Sequence, residues 1–137
     1  MLTRAGIGCW LLKSAVLPDQ LLPGWRPGQT GDLIRCVRRS YRLDLVGPGD
    51  PAVLWCSGRV DPGVHAVGTV TGVDAGALEV QVRWELLADP VPRGALLADP
   101  VVRTAEVLRM PAGSNPSYLT PEQWAVVRAL SPTAGRT

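Results

Sequence analysis

Apolar and polar residues alternate most regularly over residues 78–86, where Leu78, Val80, Val82, Trp84 and Leu86 take every second position and charged or amide side chains fill the gaps. A period of two puts the two sets on opposite faces of an extended chain, so the segment predicts a half-buried antiparallel strand with Trp84 in the core. Shorter apolar runs at 7–13 and 51–56 read as buried strands because they are too short for helices. Pro51 stands at the entry of the second, where a missing donor is tolerated. Residues 64–73 read as a strand interrupted by Gly68 and Gly72, a spacing that suits a sharp bend or a close backbone approach. Residues 14–31 carry three prolines and three glycines and read as a long loop around Trp25.

The near-identical stretches 86–93 (LLADPVPR) and 96–103 (LLADPVVR) predict a strand end, a turn and one helical turn. Two short copies are too few for a repeat architecture. The helix signal is strongest at the end of the chain. Thr120 is the N-cap, Pro121 the first helical residue, Gln123 the capping-box partner, and Leu119 can staple Trp124. Trp124, Val127 and Leu130 are expected to face the core. About five to six mostly antiparallel strands with flanking helices predict an α+β fold built on a small mixed barrel.

Composition narrows this picture. The 137 residues suit one domain, 1–137 with a core at about 7–131, and 46% hydrophobic content supports a packed core. Three cysteines, one histidine and no CxxC predict neither a disulfide framework nor a metal site. No apolar stretch is long enough to span a membrane, and the reading is of a cytoplasmic, monomeric protein that could associate with the nucleoid. Thirteen of the fourteen cations are arginine, and four of them, Arg35, Arg38, Arg39 and Arg42, fall in eight residues without an acid. Such a strip is either a solvated basic face or a phosphate-binding edge.

Catalytic patterns are weak. Ser57 lacks the leading glycine of a nucleophile elbow, His65 has no evident carboxylate, and Cys56 faces away from Ser57 if the strand continues to it. Walker and dinucleotide glycine loops are absent, so no cofactor is expected. Polar groups instead follow tryptophans at strand ends: Lys13 and Ser14 after Trp10, Ser57 and Gly58 after Trp55. Indole faces, hydroxyls and an approachable backbone suit a planar ligand such as a nucleobase.

Three segments carry a resemblance. The opening CWLLKS, the stretch from Ser40 to Gly72 with Gly-Asp, an apolar strand and Trp-Cys-Ser-Gly, and the tail VLRMPAGSNPSYLTPEQW are similar to EVE domains, a PUA-like group related in fold to YTH domains. The resemblance implies a PUA-like barrel and a non-enzymatic reader that holds a flipped modified base, such as 5-methylcytosine, in an aromatic pocket. The implied partner is nucleic acid, DNA in preference to RNA. Carried over by position, the pocket comprises Trp10, Lys13, Ser14, Trp55, Ser57, Gly58, Arg109 and Asn115, with Trp25 as the stacking aromatic and Tyr41 in reserve. Phosphates fall to Arg35, Arg38, Arg39 and Arg42. The chain departs from the family pattern at Ala15 and Val16, where an acidic-proline pair is usual. Two alternatives stay open: an ASCH-type amidohydrolase on modified nucleosides, and an interaction module with a vestigial pocket.

Overall fold

The alternating segment, apart from Leu78, which is a turn residue with a left-handed φ of 56°, lies within the longest strand of a computed structural model that describes residues 1–132. In chain order the elements are β1 (Cys9–Ser14), α1 (Pro18–Leu21), β2 (Thr30–Cys36), β3 (Pro51–Cys56), β4 (Gly63–Asp74), β5 (Glu79–Pro92), α2 (Arg93–Ala98), α3 (Glu106–Arg109), β6 (Ser117–Leu119) and α4 (Pro121–Leu130), with short 3-10 turns between some of them. The strands form one sheet in the order β2-β5-β4-β3-β1-β6. Every pairing is antiparallel except β1 with β3. This is the mixed, mostly antiparallel α+β fold expected from the sequence. The expected domain span runs on to residues 133–137, which lie outside the described residues.

The central strands are buried on both faces, which explains why β1 and β3 are continuous apolar runs. Trp10, Leu12, Ala52, Leu54 and Cys56 turn into one cluster with Val80, Val82 and Trp84. Cys9, Leu11, Val53 and Trp55 turn into the other, beneath α2, α3 and α4. Trp84 is fully buried as expected. Gly68 answers its sequence signal: a Cβ there would come within 2.3 Å of the Arg83 carbonyl. The β4–β5 register also shifts between Val70 and Gly72. The capping box forms as read, with Thr120 Oγ1 accepting from Gln123 N–H at 3.2 Å and Gln123 Oε1 accepting from Thr120 N–H at 2.9 Å.

Four expectations need correction. Thr30–Cys36 form an edge strand that begins inside the expected 14–31 loop and takes in residues 32–36, to which the sequence assigns no element; its period-two exposure mixes Thr30, Asp32 and Cys36 with apolar Ile34, so the hydrophobic signal cancels. Part of the loop before it is helical, since Pro18 sits at the first turn of α1. The first LLADP copy continues as strand through Pro90 and Pro92, whereas the second closes α2. Leu130 is 46% exposed at the last turn of α4, while Val127 is fully buried.

Candidate functional site

The parallel pair β1/β3 ends with Ser14 opposite Cys56. The next amide extends the ladder, since Ser57 N–H donates to the Ser14 carbonyl at 2.9 Å. Both chains then leave the sheet, and the gap where parallel strands end at their carboxyl ends is a usual place for a ligand crevice. Here it opens as a hollow of about 260 Å³ lined by Lys13, Ser14, Ala15, Arg38, Ser57, Pro111, Ala112, Gly113 and Asn115. Ser57 and Pro111 also line an adjoining hollow of about 250 Å³ with Trp55, Gly58, Pro62 and Arg93. A third, of about 170 Å³, runs on past Gly58 to Val16, Arg59 and Val60. Among the described residues, no Asp or Glu lines any of the three.

Bonds across the fold set the shape of this cleft. Lys13 Nζ donates to the carbonyls of Pro111 at 3.0 Å and Gly113 at 3.4 Å, tying the 110–113 loop to the end of β1. Asn115 donates from Nδ2 to the Cys36 carbonyl at 3.1 Å, and its own carbonyl accepts from Arg38 N–H at 2.8 Å. The two sheet edges, β2 and the lead into β6, are thereby laced together beside the hollow. Asn115 Oδ1 is buried and has no hydrogen-bond partner. An acceptor left in that state costs about 1–3 kcal/mol unless something donates to it.

Beneath the cleft the charges are already paired. Arg42 makes a bidentate ion pair with Glu106 at 2.8 and 2.7 Å, donates to the Pro116 carbonyl at 3.1 Å and lies 5.3 Å from the centre of the Tyr118 ring. Ser117 Oγ donates to the same carboxylate at 2.7 Å. The Arg42 bond holds the Glu106 carboxyl below the usual carboxylate range, against its burial. Burial presses Lys13 below the ordinary lysine range, with Arg38 and Arg42 adding to the effect and Glu106 opposing it. Burial likewise pushes the Cys56 thiol up to about 11, which makes it a poor nucleophile.

The structure gathers only part of the sequence-predicted site. Lys13, Ser14, Ser57, Asn115 and Arg38 meet around the main hollow, and Trp55 and Gly58 join the adjoining one. Trp25, expected to stack on a base, is 8% exposed, and its Nε1 donates to the Gln29 carbonyl at 2.8 Å. It packs over Gly31 of β2, in the cluster that holds Leu12 and Trp84. Trp10 is buried in the same cluster, and its Nε1 donates to Asp50 at 3.0 Å. Tyr41 is exposed, accepts from Leu2 N–H and lines none of these hollows. Arg109 donates to the Thr104 carbonyl and points elsewhere. Within the basic strip, Arg42 is consumed by Glu106 and Arg35 donates to the Lys13 carbonyl at 3.1 Å, which leaves Arg38 and Arg39 exposed. Three lining features went unread: the Pro111–Gly113 turn, Arg59 and Arg93. The Pro-Ala-Gly run signals a turn, but nothing local says that it folds over β1.

Cys9 and Cys56 point into opposite clusters and Cys36 is exposed, so the cysteines do not converge on His65. His65 Nε2 instead donates to the Asp61 carbonyl at 2.6 Å. Among the described residues no helix is long and apolar enough to cross a membrane.

No protein-family model matches the chain, and no curated protein does. Solved structures do. A Pseudomonas putida protein is 19% identical with a TM-score of 0.64, covering 89% of this chain and 98% of its own. A Rhodopseudomonas palustris protein is 20% identical with a TM-score of 0.62, covering 91% and 93%. Human THYN1, solved in complex with 5-methylcytosine containing DNA, is 15% identical with a TM-score of 0.56, covering 89% and 96%. At these identities the likeness is one of fold, and it spans almost the full length of each chain.

Proposed function

We propose that the chain binds nucleic acid at the acid-free cleft and holds there one base turned out of its strand, a modified cytosine such as 5-methylcytosine in DNA. The observation that carries this reading is the lining itself. Two cations, two hydroxyls whose protons already go to backbone carbonyls (Ser14 Oγ to Val16, Ser57 Oγ to Ser14) and Asn115, whose buried Oδ1 has no partner, line a hollow of about 260 Å³ with, among the described residues, no carboxylate to repel a phosphate. The shared fold with human THYN1 supports it, since that protein is bound to methylated DNA.

The chemistry fits cytosine. Its N4 amino group is a donor, which suits Asn115 Oδ1. Ser57 can meet a second polar atom on the ring edge, and the side chains of Ala15, Pro111 and Ala112 offer an apolar wall to a 5-methyl group. The base then lies between the 14–15 and 111–113 backbones, with Trp55 contributing from the adjoining hollow, rather than between two rings. Arg38, Arg39, Arg59 and Arg93 take phosphates, which supply most of the affinity while the pocket supplies selectivity. In this reading the cleft binds and does not cleave: Lys13 donates to two loop carbonyls, and among the described residues no acid lines either hollow with Ser57 to orient a base.

The test is a titration of duplexes that differ only in one cytosine, unmodified, 5-methylated or 5-hydroxymethylated, with mass spectrometry of the recovered strands. The expected result is a preference of about tenfold or more for one modified duplex, the scale that one extra methyl group against an apolar wall gives, with intact DNA recovered. Equal binding to all three sinks the base-reading, and release of a free base turns the cleft into an active site.

A further inference from the structure

Apart from the first residue, the two most exposed large apolar side chains among the described residues are Val60 at 62% and Met110 at 58%. Both sit on loops that border the cleft. Val60 lines its third hollow beside Arg59. Met110 immediately precedes Pro111, which lines the other two. A single exposed apolar side chain is ordinary on a protein surface; what sets these two apart is that both border the same cleft.

Neither loop is slack. The 57–62 loop is tied at Ser57 N–H to the Ser14 carbonyl, at the Asp61 carbonyl to His65 Nε2, and at the Pro62 carbonyl to Arg93 N–H at 2.8 Å. Asp61 itself takes a left-handed φ of 46°. The 110–113 loop closes on itself through Gly113 N–H to the Met110 carbonyl at 2.9 Å and is pinned by Lys13. Two braced loops therefore hold one apolar side chain each beside a hollow sized for a base, with Lys13, Arg38, Arg59 and Arg93 around them. Asp61 is the one acid on the first loop.

We propose that Val60 and Met110 are wedges that enter a DNA duplex and fill the space left when the target nucleotide turns out into the cleft. The inference rests on the base-holding reading and adds how a paired base becomes available. An extruded base leaves its neighbours unstacked at a cost of a few kcal/mol per step, and an inserted apolar side chain restores part of that contact. Such a wedge matters for a duplex and not for a single strand, whose base needs no extrusion. The exposed positions make both side chains replaceable without disturbing either cluster of the core.

The experiment compares full-length wild type with the Val60→Ser, Met110→Ser double variant on two probes, a duplex carrying one 5-methylcytosine and the same strand unpaired. Duplex affinity is expected to fall about tenfold in the variant, with single-strand affinity changed less than twofold. A 2-aminopurine placed beside the target base in the duplex should brighten on binding wild type, and less on binding the variant. Unchanged duplex affinity, or equal losses on both probes, overturns the wedge while the base-reading stands. If wild type binds neither probe better than its unmethylated counterpart, the base-reading fails and the wedge falls with it.

Discussion

The hollow proposed to hold a base is smaller than a groove on another face of the sheet. A groove of about 420 Å³ lies between β4, β5 and α4, lined by Thr30, Thr69, Arg83, Glu85, Trp124 and Arg128 among others. It has two indoles in its lining, Trp84 and Trp124, and more room than the Lys13 cleft, yet its charge is mixed, and Arg83 is already paired with Asp32 at 3.1 Å. Among the described residues, the smaller cleft has no acid in its lining, sits at the ends of the only parallel strand pair and includes Asn115 with its unpartnered buried Oδ1; the groove has an unpartnered buried atom too, the Trp84 Nε1. For a polyanion, the sign of the lining charge outweighs volume.

The most forceful way to break this comparison is to fill each hollow in turn. Ser57→Trp should abolish the preference for a modified duplex and cut affinity about 100-fold, the range of an interface hot spot, whereas Thr69→Trp in the groove should leave titrations unchanged. Loss of binding from the groove variant alone would reverse the assignment.

The next effect concerns what supports the cleft. Arg42→Ala strips Glu106 of its bidentate partner at a site where both side chains are largely buried, and should cost about 2 kcal/mol of stability in a denaturant melt. The sign with pH follows from the depressed Glu106 value. The stabilisation is complete above the ordinary glutamate pKa of 4.5 and disappears as pH falls through the lower folded value. The gap between wild type and Glu106→Gln should therefore close on acidification below about pH 4.5, while a gap that widens there would contradict the pairing.

Two smaller effects separate core from interface. Trp25→Phe should lose the indole bond to Gln29 and about 1 kcal/mol of stability, with DNA affinity unchanged. A clear loss of base preference in that variant would return Trp25 to the site. Arg38→Ala should weaken binding a few-fold on every sequence and lower the salt slope by about one, and Arg83→Ala in the groove should do neither.

Local signals were read well from the sequence. The alternation over β5 and the capping box of α4 each depend on neighbours within a few residues, so their geometry follows from the sequence itself. Long-range pairings were not legible. Arg42 and Glu106 are 64 residues apart, and no pattern near either predicts the other. Trp25 looked like a loop aromatic because the strand it packs against, β2, has too weak an alternation to be seen. The two LLADP copies make the same point: one stays in β5 because β4 pairs with it as far as Pro92, and the other, without a strand partner, turns with α2. For the site, the strand ends at Lys13, Ser14 and Ser57 could be placed from motif order. The loop that completes the cleft, 110–113, could not be, because it is positioned by the Lys13 bonds across the fold.

The most direct test of the central claim is a photo-crosslink from a duplex with 5-iodocytosine at the target position, mapped by peptide mass spectrometry. The account predicts attachment within 13–15, 55–58 or 110–115. Attachment at Trp84, Trp124 or Arg128 would place the base in the larger groove and contradict it.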